Sequence, residues 1–256
     1  MTMTEGCLTP GDPLYPDALR TIPDPPKTLY YRGDLSLLAR PMVAVVGTRK
    51  PSPYGVRITK RIAGQIAGAG AVLVSGLAMG IDSVGHRRSL ELGGRTIAVL
   101  GQGLDIYYPK SNRDLQEEIG RSGLLLSEYP AGTKPARFTF PRRNRIISGL
   151  ALATMVTEAG VNSGSLITAE WAENQGRPVY CVPGNIDSQC SLGTNLLISD
   201  GAVPLVVTDH LLRDLGLVPG GFVSKGRVPG GAGPPNRPLT PTRCPVFRPR
   251  RSASWA

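Results

Sequence analysis

Short apolar runs recur along the chain from residue 42 onward, and stretches with helical periodicity separate them. The runs cover residues 42–46, 71–74, 96–100, 123–126, 153–156, 179–182 and 203–207. Most of them lack polar alternation, as expected of strands that are buried on both faces of a sheet. The helical stretches cover residues 54–69, 81–92, 114–119 and 165–174, with a closing helix over 209–215. Strands that alternate with helices predict an α/β fold with a doubly wound, mostly parallel sheet and helices on both faces.

Composition divides the chain into three parts. Residues 1–40 are too rich in proline for a long helix, and we expect a segment packed on the core, with residues 29–33 as a short edge strand. Residues 41–217 hold the alternating pattern and form the predicted α/β domain. Residues 218–256 are rich in Gly, Pro and Arg and have almost no periodicity, which predicts a disordered tail. Such a tail is either a basic arm for nucleic acid or a linker without a function of its own.

The positive charge is unevenly distributed. The net charge is +10, but seven of the 29 cations and none of the acids lie after residue 218. The first 218 residues carry 22 cations against 19 acids. Nucleic-acid binding by the folded part therefore depends on local clusters rather than on the total charge.

The cysteines and the apolar runs exclude several classes of protein. The four cysteines contain no C-x-x-C pair, and with only two histidines no zinc spacing occurs. Scattered thiols suit a reducing cytosol. The sequence shows no signal-peptide pattern and no apolar run of about 18 residues. We therefore expect a cytoplasmic protein with no membrane partner.

The densest mixture of cations and aromatic residues lies at residues 138–149. This stretch holds two phenylalanines, three arginines and an asparagine. Arg and Asn donate to phosphate oxygens, and base–aromatic stacking contributes about 1–3 kcal/mol per base. An isolated stretch of this kind is more often the solvated start of a surface helix. Here it follows a predicted strand and its exit turn, so we expect it at the strand-end edge of the sheet, as one wall of a phosphate-binding pocket.

Glycine-rich or polar turns follow the other strands, at residues 46–55, 74–82, 100–110 and 157–168. Ligands of such a sheet lie beyond the carboxyl ends of the strands. Glycine lets the backbone approach a ligand, and the amides at a helix start bind anions. Convergence of these turns with Arg49, Lys110 and the arginines of the basic stretch predicts an anionic ligand.

The turns do not match the common nucleotide motifs. G-x-G-x-x-G is missing after the first strand, and the turn at residues 100–105 has only the first two glycines and leads into Tyr-Tyr-Pro rather than a helix. No Walker A sequence is present. Ser163 and Ser165 have no histidine partner in a recognisable arrangement and are typical of caps or phosphate donors.

Several other side chains are candidates for structural roles. His86 follows Asp82 by four residues, and a hydrogen bond between them that ties the helix is favoured over catalysis. Glu128 and Glu158 each follow a strand. They form a carboxylate pair or, as we expect, orient the arginines of the basic stretch.

Together these segments resemble the DNA-processing protein A family (DprA, also called Smf). The matching segments follow the family's order and cover roughly residues 10–217. They are VVGTR at 45–49, VSGLA at 74–78 with GID at 80–82, VLGQGLD at 99–105 with YP at 108–109, LSEYP at 126–130, FPRRNRII at 140–147, SGSLITA at 163–169 and VPGNIDS at 182–188.

The resemblance implies an extended Rossmann-like domain that binds single-stranded DNA without sequence preference. It also implies a mediator that loads the RecA recombinase onto incoming DNA in natural transformation. Members of the family form homodimers through a surface near the carboxyl end of this domain, are not known as enzymes and need no cofactor. Carried over by position, the implied DNA contacts are Gly47, Thr48, Arg49, Lys110, Arg142, Arg143, Asn144 and Arg145, with Ser163, Gly164 and Ser165 as further donors and Phe140 or Phe138 as the stacking ring. We expect one of Arg143 and Arg145 to face DNA and the other to pair with Glu128 or Glu158.

The sequence departs from the fuller family pattern at both ends. Many members carry a small helical domain before the segment that begins this chain, and many end in a winged-helix domain. We expect no winged-helix domain in residues 218–256, whose composition fits no folded module.

A second hypothesis is a nucleotide-binding protein or a Rossmann-like nucleoside-monophosphate phosphoribohydrolase. Those hydrolases use a P-G-G-x-G-T-x-x-E turn, whose glutamate acts on the nucleotide. The comparable turn here has Thr168 in place of the acid and lacks the preceding Gly-Gly. Hydrolysis of an N-glycoside needs a carboxylate near the ribose, so this difference counts against that activity but leaves nucleotide binding open.

Overall fold

The computed structural model describes residues 4–217, which form one nine-stranded sheet with helices on both faces. The strands are β1 (Glu5–Leu8), β2 (Leu29–Gly33), β3 (Met42–Val46), β4 (Val72–Ser75), β5 (Arg95–Leu100), β6 (Leu124–Ser127), β7 (Ala153–Val156), β8 (Val179–Cys181) and β9 (Val203–Pro204). The helices are α1 (Asp17–Arg20), α2 (Pro53–Gly68), α3 (Ile81–Glu91), α4 (Arg113–Ser122), α5 (Thr139–Leu150), α6 (Ser165–Asn174), α7 (Leu192–Ser199) and α8 (Thr208–Asp214). Short 3-10 helices cover Leu35–Ala39 and Lys110–Asn112.

The strand order is β1-β2-β6-β5-β4-β3-β7-β8-β9. All neighbours from β6 to β9 pair in parallel, whereas β2 pairs antiparallel with both β6 and β1. The chain winds outward from β3 to β6, returns to the centre and winds the other way from β7 to β9. The fold is thus a Rossmann-like α/β fold, as predicted, and the reversal between β3 and β7 is the switch point at which such sheets bind ligands.

Central strands are buried on both faces, which explains why the sequence shows no alternation. Val43 and Val45 pack with α2 and α8 on one face. Met42, Ala44 and Val46 of the same strand pack with α5, α6 and the first 40 residues on the other. Full burial of such a valine side chain contributes about 1.5–3 kcal/mol. All seven predicted strands of the domain are present, each within three residues of its predicted ends.

The predicted edge strand at Leu29–Gly33 is present as β2, but its position at the edge was wrong. β1 pairs outside it, with Glu5 opposite Arg32 and Leu8 opposite Leu29. β1 escaped prediction because it exposes three of its four residues and so gives no apolar signal. Helix α7 was also missed.

The segment around α1 packs against α5. Leu19 and Ile22 are buried there, against Gly149. A Cβ at Gly149 would lie 2.9 Å from Leu19 Cδ2. The glycine therefore allows the segment to lie close to the helix.

The predicted disordered tail at 218–256, with its expected lack of a winged-helix domain, lies outside the residues that the structure describes. In the described part of the chain, residues 4–217, no helix is both long enough and apolar enough to cross a membrane.

Candidate nucleic-acid interface

A cavity of about 870 Å³ opens at the carboxyl edge of the sheet, beyond the ends of the neighbouring strands β3 and β7. The turn after β3, the turn after β7 and the first half of α5 form its walls. Nine of the residues predicted to contact DNA line it: Gly47, Thr48, Arg49, Phe140, Arg143, Asn144, Ser163, Gly164 and Ser165. Three predicted contacts, Lys110, Arg142 and Arg145, do not.

The turn after β3 is fixed from both sides. Thr48 N donates to Glu158 O at 2.7 Å, and Ile81 N donates to Thr48 O at 3.1 Å. A Cβ at Gly47 would lie 2.6 Å from Ile81 Cγ1, so a larger residue would displace the start of α3. The turn therefore holds exposed Arg49 at the rim, with its guanidinium 6.0 Å from the centre of the Phe140 ring.

Glu158 anchors the same turn from behind. Its Oε1 accepts from Ser52 Oγ at 2.6 Å and its Oε2 from Ser52 N at 2.8 Å. Ser52 in turn caps α2 by accepting from Gly55 N. The expectation that Glu158 orients an arginine is wrong, because both of its oxygens bind the helix start instead.

Arg143 reaches from α5 across to the turns after β4 and β5. Its Nη1 donates to Gly76 O at 2.7 Å and to Val99 O, and its Nε donates to Asn144 Oδ1 at 3.2 Å. No described residue accepts a hydrogen bond from Nη2, and Arg143 lines the cavity. A Cβ at Gly76 would lie 2.6 Å from Nη2, so glycine is needed for the guanidinium to lie against this turn.

The charge of Arg143 is only loosely compensated. Burial lowers the pKa of Arg143 to about 10; nearby Asp82 opposes this shift and Arg49 adds to it. The side chain is therefore still a cation at neutral pH. Asp82 Oδ2 accepts from Gly76 N at 3.1 Å and from Ala78 N at 3.3 Å, and burial raises its pKa.

The predicted hydrogen bond between Asp82 and His86 does not form, because each has another partner. His86 Nδ1 lies 2.7 Å from Thr96 Oγ1, and Thr96 Oγ1 donates to Leu73 O at 2.8 Å. The hydroxyl thus accepts from His86, which must carry its proton on Nδ1. Burial and then the charge of Arg143 lower the pKa of His86 to about 3, so the ring is neutral.

The turn after β7 supplies donors without positive charge. Asn144 Nδ2 donates to Gly164 O at 3.3 Å, which ties this turn to α5. Ser163 Oγ and Ser165 Oγ lie 2.7 Å apart, and Ser165 begins α6. The amides and hydroxyls at this ten-residue helix's start therefore line the cavity and favour an anion.

The aromatic residues form a stacked pair at the rim. Phe140 and Tyr108 stack with their ring centres 5.4 Å apart, and both line the cavity. Tyr108 is 42% exposed, whereas Phe138 is 71% exposed and does not line the cavity. This places Phe140, with Tyr108, where a base can stack, and leaves Phe138 outside. Lys110 is exposed two residues beyond Tyr108.

Arg145 lies behind the wall rather than on it. Its side chain is 1% exposed and donates to Asp24 Oδ2 at 2.9 Å and to Glu128 Oε1 at 2.7 Å. Glu128 Oε1 also accepts from exposed Arg142 at 3.4 Å. Glu128 therefore orients two arginines of α5, as predicted. Arg145 does not reach the cavity, because these contacts hold its guanidinium on the opposite side of the helix.

Sequence reasoning missed several residues that line the cavity: Lys50, Tyr108, Arg137 and Gln189. Lys50 and Tyr108 lie in turns that the sequence analysis predicted to bind the ligand, so these two residues could have been found from their position in those turns. Arg137 precedes α5 in an irregular loop, and Gln189 lies far along the chain, so only the fold brings them to the site.

Comparison with known proteins identifies relatives over most of the chain. The family model for DNA recombination-mediator protein A matches residues 6–216. Protein Smf from Synechocystis sp. is 48% identical over 216 residues, which are 83% of this chain and 54% of that protein. DNA processing protein DprA from Streptococcus pneumoniae is 48% identical over 191 residues, 75% of this chain and 67% of that protein. The chain thus spans about half to two thirds of the length of these curated relatives.

Two solved structures share the fold. That of DNA processing protein A from Streptococcus pneumoniae has a TM-score of 0.78 and 44% identity, and the match covers 82% of this chain and 74% of that one. That of DNA processing protein A from Helicobacter pylori, reported with a unique single-stranded DNA binding mode, has a TM-score of 0.75 and 33% identity over 82% of this chain and 95% of that one. With the matched family model, these identities show that the chain belongs to the DNA recombination-mediator protein A family.

Proposed function

We propose that this chain binds single-stranded DNA without sequence preference in the cavity at the switch point, and that it loads RecA onto the bound strand during natural transformation. The observation that carries the binding proposal is Arg143. It is a buried cation on the cavity wall with Nη1 and Nε engaged by protein acceptors and Nη2 left over. A fixed donor of this kind suits a phosphate oxygen, because little side-chain entropy is lost when it binds.

The other groups of the cavity fit a nucleic-acid backbone better than one particular base. Arg49 and Lys50 add charge at the rim, and the Ser163–Ser165 pair and the start of α6 offer hydrogen-bond donors. Phe140 and Tyr108 offer ring faces, and stacking on a ring tolerates every base. Lys110 and Arg142 are exposed beyond the cavity and extend the proposed contacts to a longer strand. Arg145 is excluded from them, because its ion pairs with Asp24 and Glu128 hold it on the opposite side of α5.

The affinity for oligo-dT at two salt concentrations tests this proposal. Each phosphate contact in a single strand contributes about 0.7 to the slope of log K against log salt, so binding should weaken steeply as salt rises. Arg49→Ala should weaken binding by a similar factor on strands of any sequence. Affinity that is independent of salt, or unchanged in this variant, would contradict the proposal.

The proposed homodimer would use the sheet edge at β9. Val203, Val206 and Val207 are 41%, 75% and 42% exposed there, and Leu196 of α7 is 48% exposed. An apolar surface of this kind at the end of a sheet supports a contact between copies. Val206→Asp should convert a dimer into a monomer, as measured by light scattering. A monomeric wild-type protein would overturn this part of the proposal.

The loading of RecA rests on family membership alone. It predicts that the protein speeds assembly of RecA on strands coated with single-strand-binding protein, measured by the ATPase activity of RecA. Arg49→Ala should lose this stimulation together with DNA binding. If wild-type protein binds DNA but leaves RecA assembly unchanged, the chain is a binding module only.

We infer that the chain acts by binding and not by catalysis. Asp82, the carboxylate among the described residues that line the cavity, already accepts from the backbone amides of Gly76 and Ala78. Thr168, which stands where the related hydrolases carry their glutamate, is 1% exposed. Release of base from AMP by the purified protein would favour the hydrolase hypothesis, and thermal stabilisation by a mononucleotide but not by oligo-dT would favour a nucleotide sensor.

A further inference from the structure

Helix α2 carries a row of exposed side chains that do not line the cavity. Tyr54, Arg57, Lys60 and Arg61 are exposed, and their spacing of three and four residues places them on one side of the helix. We name this group the α2 stripe. Helix α2 contains no Asp or Glu, and no acid of the described residues forms an ion pair with the three cations of the stripe. Its positive charge is therefore not neutralised locally.

The stripe begins where the cavity ends. Lys50 lines the cavity, and Ser52, two residues later, is the N-cap of α2. Glu158 holds Ser52 at the exit of β7, so the start of the helix is fixed to the switch point. The helix has 16 residues, or a length of about 24 Å at 1.5 Å per residue. A strand that leaves the cavity past Lys50 can therefore continue along α2.

The chemistry of the stripe suits a single strand of nucleic acid. The guanidinium of Arg57 lies 5.6 Å from the centre of the Tyr54 ring, and the ring is 37% exposed. Tyr54 Oη donates to Pro183 O at 3.1 Å, which fixes the ring. An exposed ring beside cations is the combination with which proteins bind single strands, the ring for a base and the cations for phosphates.

The stripe stops at Arg61, because α2 has no cation beyond it and its later residues lie near acids. Gln65, four residues after Arg61, donates to Asp209 of α8. On the neighbouring helix α3, Glu91 pairs with Arg88 at 3.1 Å. The uncompensated cations are thus confined to the first nine residues of α2, the part that begins at the cavity.

We propose that the α2 stripe is a second contact segment for the same strand of DNA, which extends from the cavity over Lys50 and along α2 as far as Arg61. This inference rests on the proposed function and adds to it a direction for the strand and a length dependence of the affinity. A short strand fills the cavity alone. A longer strand reaches the stripe and gains the contacts of its cations and ring.

The test compares the affinities of the full chain for oligo-dT of about 6 and about 20 nucleotides, within the range of site sizes known for single-strand binders. The variant is Arg57→Ala with Arg61→Ala. Its control is Arg40→Ala with Arg121→Ala, which removes the same charge from two exposed residues. Arg40 lies two residues before β3 and Arg121 three residues before β6, at the opposite edge of the sheet. Circular dichroism confirms that all proteins are folded.

We expect the stripe variant to bind the long strand about 3–10-fold more weakly, with a salt slope reduced by about 1.4 for two lost contacts. Its affinity for the short strand and both affinities of the control should stay at wild-type values. An unchanged affinity for the long strand overturns the inference alone, since the cavity would still bind the short one. Equal losses in the control overturn it in favour of a general charge effect. If the wild-type protein binds neither strand, the proposed function itself fails.

Discussion

Helix α5 carries two buried arginines, two residues apart, which lie on opposite sides of the helix and bind different kinds of partner. On the cavity side, Arg143 donates to carbonyl and amide oxygens, and the nearby carboxylate of Asp82 forms no ion pair with it. On the back, Arg145 bonds directly to the carboxylates of Asp24 and Glu128. Both side chains are at most 5% exposed.

The difference leads us to propose that compensation by carboxylates, rather than exposure or residue type, separates an arginine that binds DNA from a structural one. The guanidinium of Arg145 is ion-paired with two carboxylates of the protein, so its removal should lower the stability of the fold. The guanidinium of Arg143 retains an unneutralised charge and a donor, and its removal should cost affinity. Because both are buried, a rule that assigns DNA contacts to exposed arginines would not select Arg143, for which we propose a contact.

The largest expected effect is on stability, at Arg145. Arg145→Met should lower the free energy of unfolding by about 3–5 kcal/mol, because it leaves the buried carboxylate of Glu128 with only Arg142 at 3.4 Å. Urea denaturation measures the loss. The double variant Glu128→Gln with Arg145→Met should recover part of it. A cost below about 1 kcal/mol would show that the two sides of α5 do not differ as described.

The next effect is on binding, at Arg143. Arg143→Gln should reduce the affinity for oligo-dT by about 1.5–3 kcal/mol, the range for hydrogen bonds to a charged group. Arg143→Lys keeps the charge but loses the planar set of guanidinium N–H donors, so it should recover only part of the affinity. Binding is measured by fluorescence anisotropy under conditions where urea denaturation shows each variant folded. Arg142→Gln, at the exposed neighbour, is the matched control and should lose less. If the control loses as much, exposure rather than compensation decides the contact.

Much of the fold was predictable from the sequence, because its strands are uniformly apolar. Runs such as 42–46 and 153–156 match β3 and β7 to the residue. Strand β1 was not predicted, because it exposes most of its side chains and therefore forms no apolar run. The edge of the sheet at which the cavity lies was also predictable, because the turns that follow parallel strands all lie at the carboxyl edge of the sheet.

The site was only partly predictable, because the sequence does not show which way a side chain points. Residues 142–145 read as one basic cluster, yet Arg142 is exposed, Arg143 faces the sheet and Arg145 faces Asp24, which is 121 residues away. The hydrogen bond between Glu158 and Ser52, which are 106 residues apart, could not be predicted from the sequence either. Such pairings depend on the packed structure.

The unneutralised charge of the cavity side should also be visible as a pH effect on stability. Burial and the charge of Arg143 lower the pKa of His86 to about 3, from about 6.5 in the unfolded chain. Between these values the unfolded state binds one more proton, so stability falls as pH falls below 6.5. The loss from this group should be about 2 kcal/mol at pH 5.

Urea denaturation at pH 7, 6 and 5 measures this loss. In His86→Gln the part of the pH dependence due to this group should disappear, whereas His210→Asn, at an exposed histidine of α8, should leave it in place. Arg143→Gln should reduce the loss, because one cause of the lowered pKa is removed. An identical pH dependence in wild type and Arg143→Gln would mean that burial alone acts on His86.

The smallest effect is expected at Asp24. It shows how much each of the two ion pairs of Arg145, with Asp24 and with Glu128, contributes to stability. The Asp24 side chain is 55% exposed, whereas that of Glu128 is 11% exposed. Water screens the more exposed pair, so Asp24→Asn should lower the free energy of unfolding by less than about 1 kcal/mol. Glu128→Gln should cost more, because the buried arginine would depend on the screened partner alone. DNA affinity should be unchanged in Asp24→Asn, since Arg145 does not reach the cavity. A loss of affinity without a loss of stability would show instead that the first 40 residues, through Asp24, set the position of the binding side of α5.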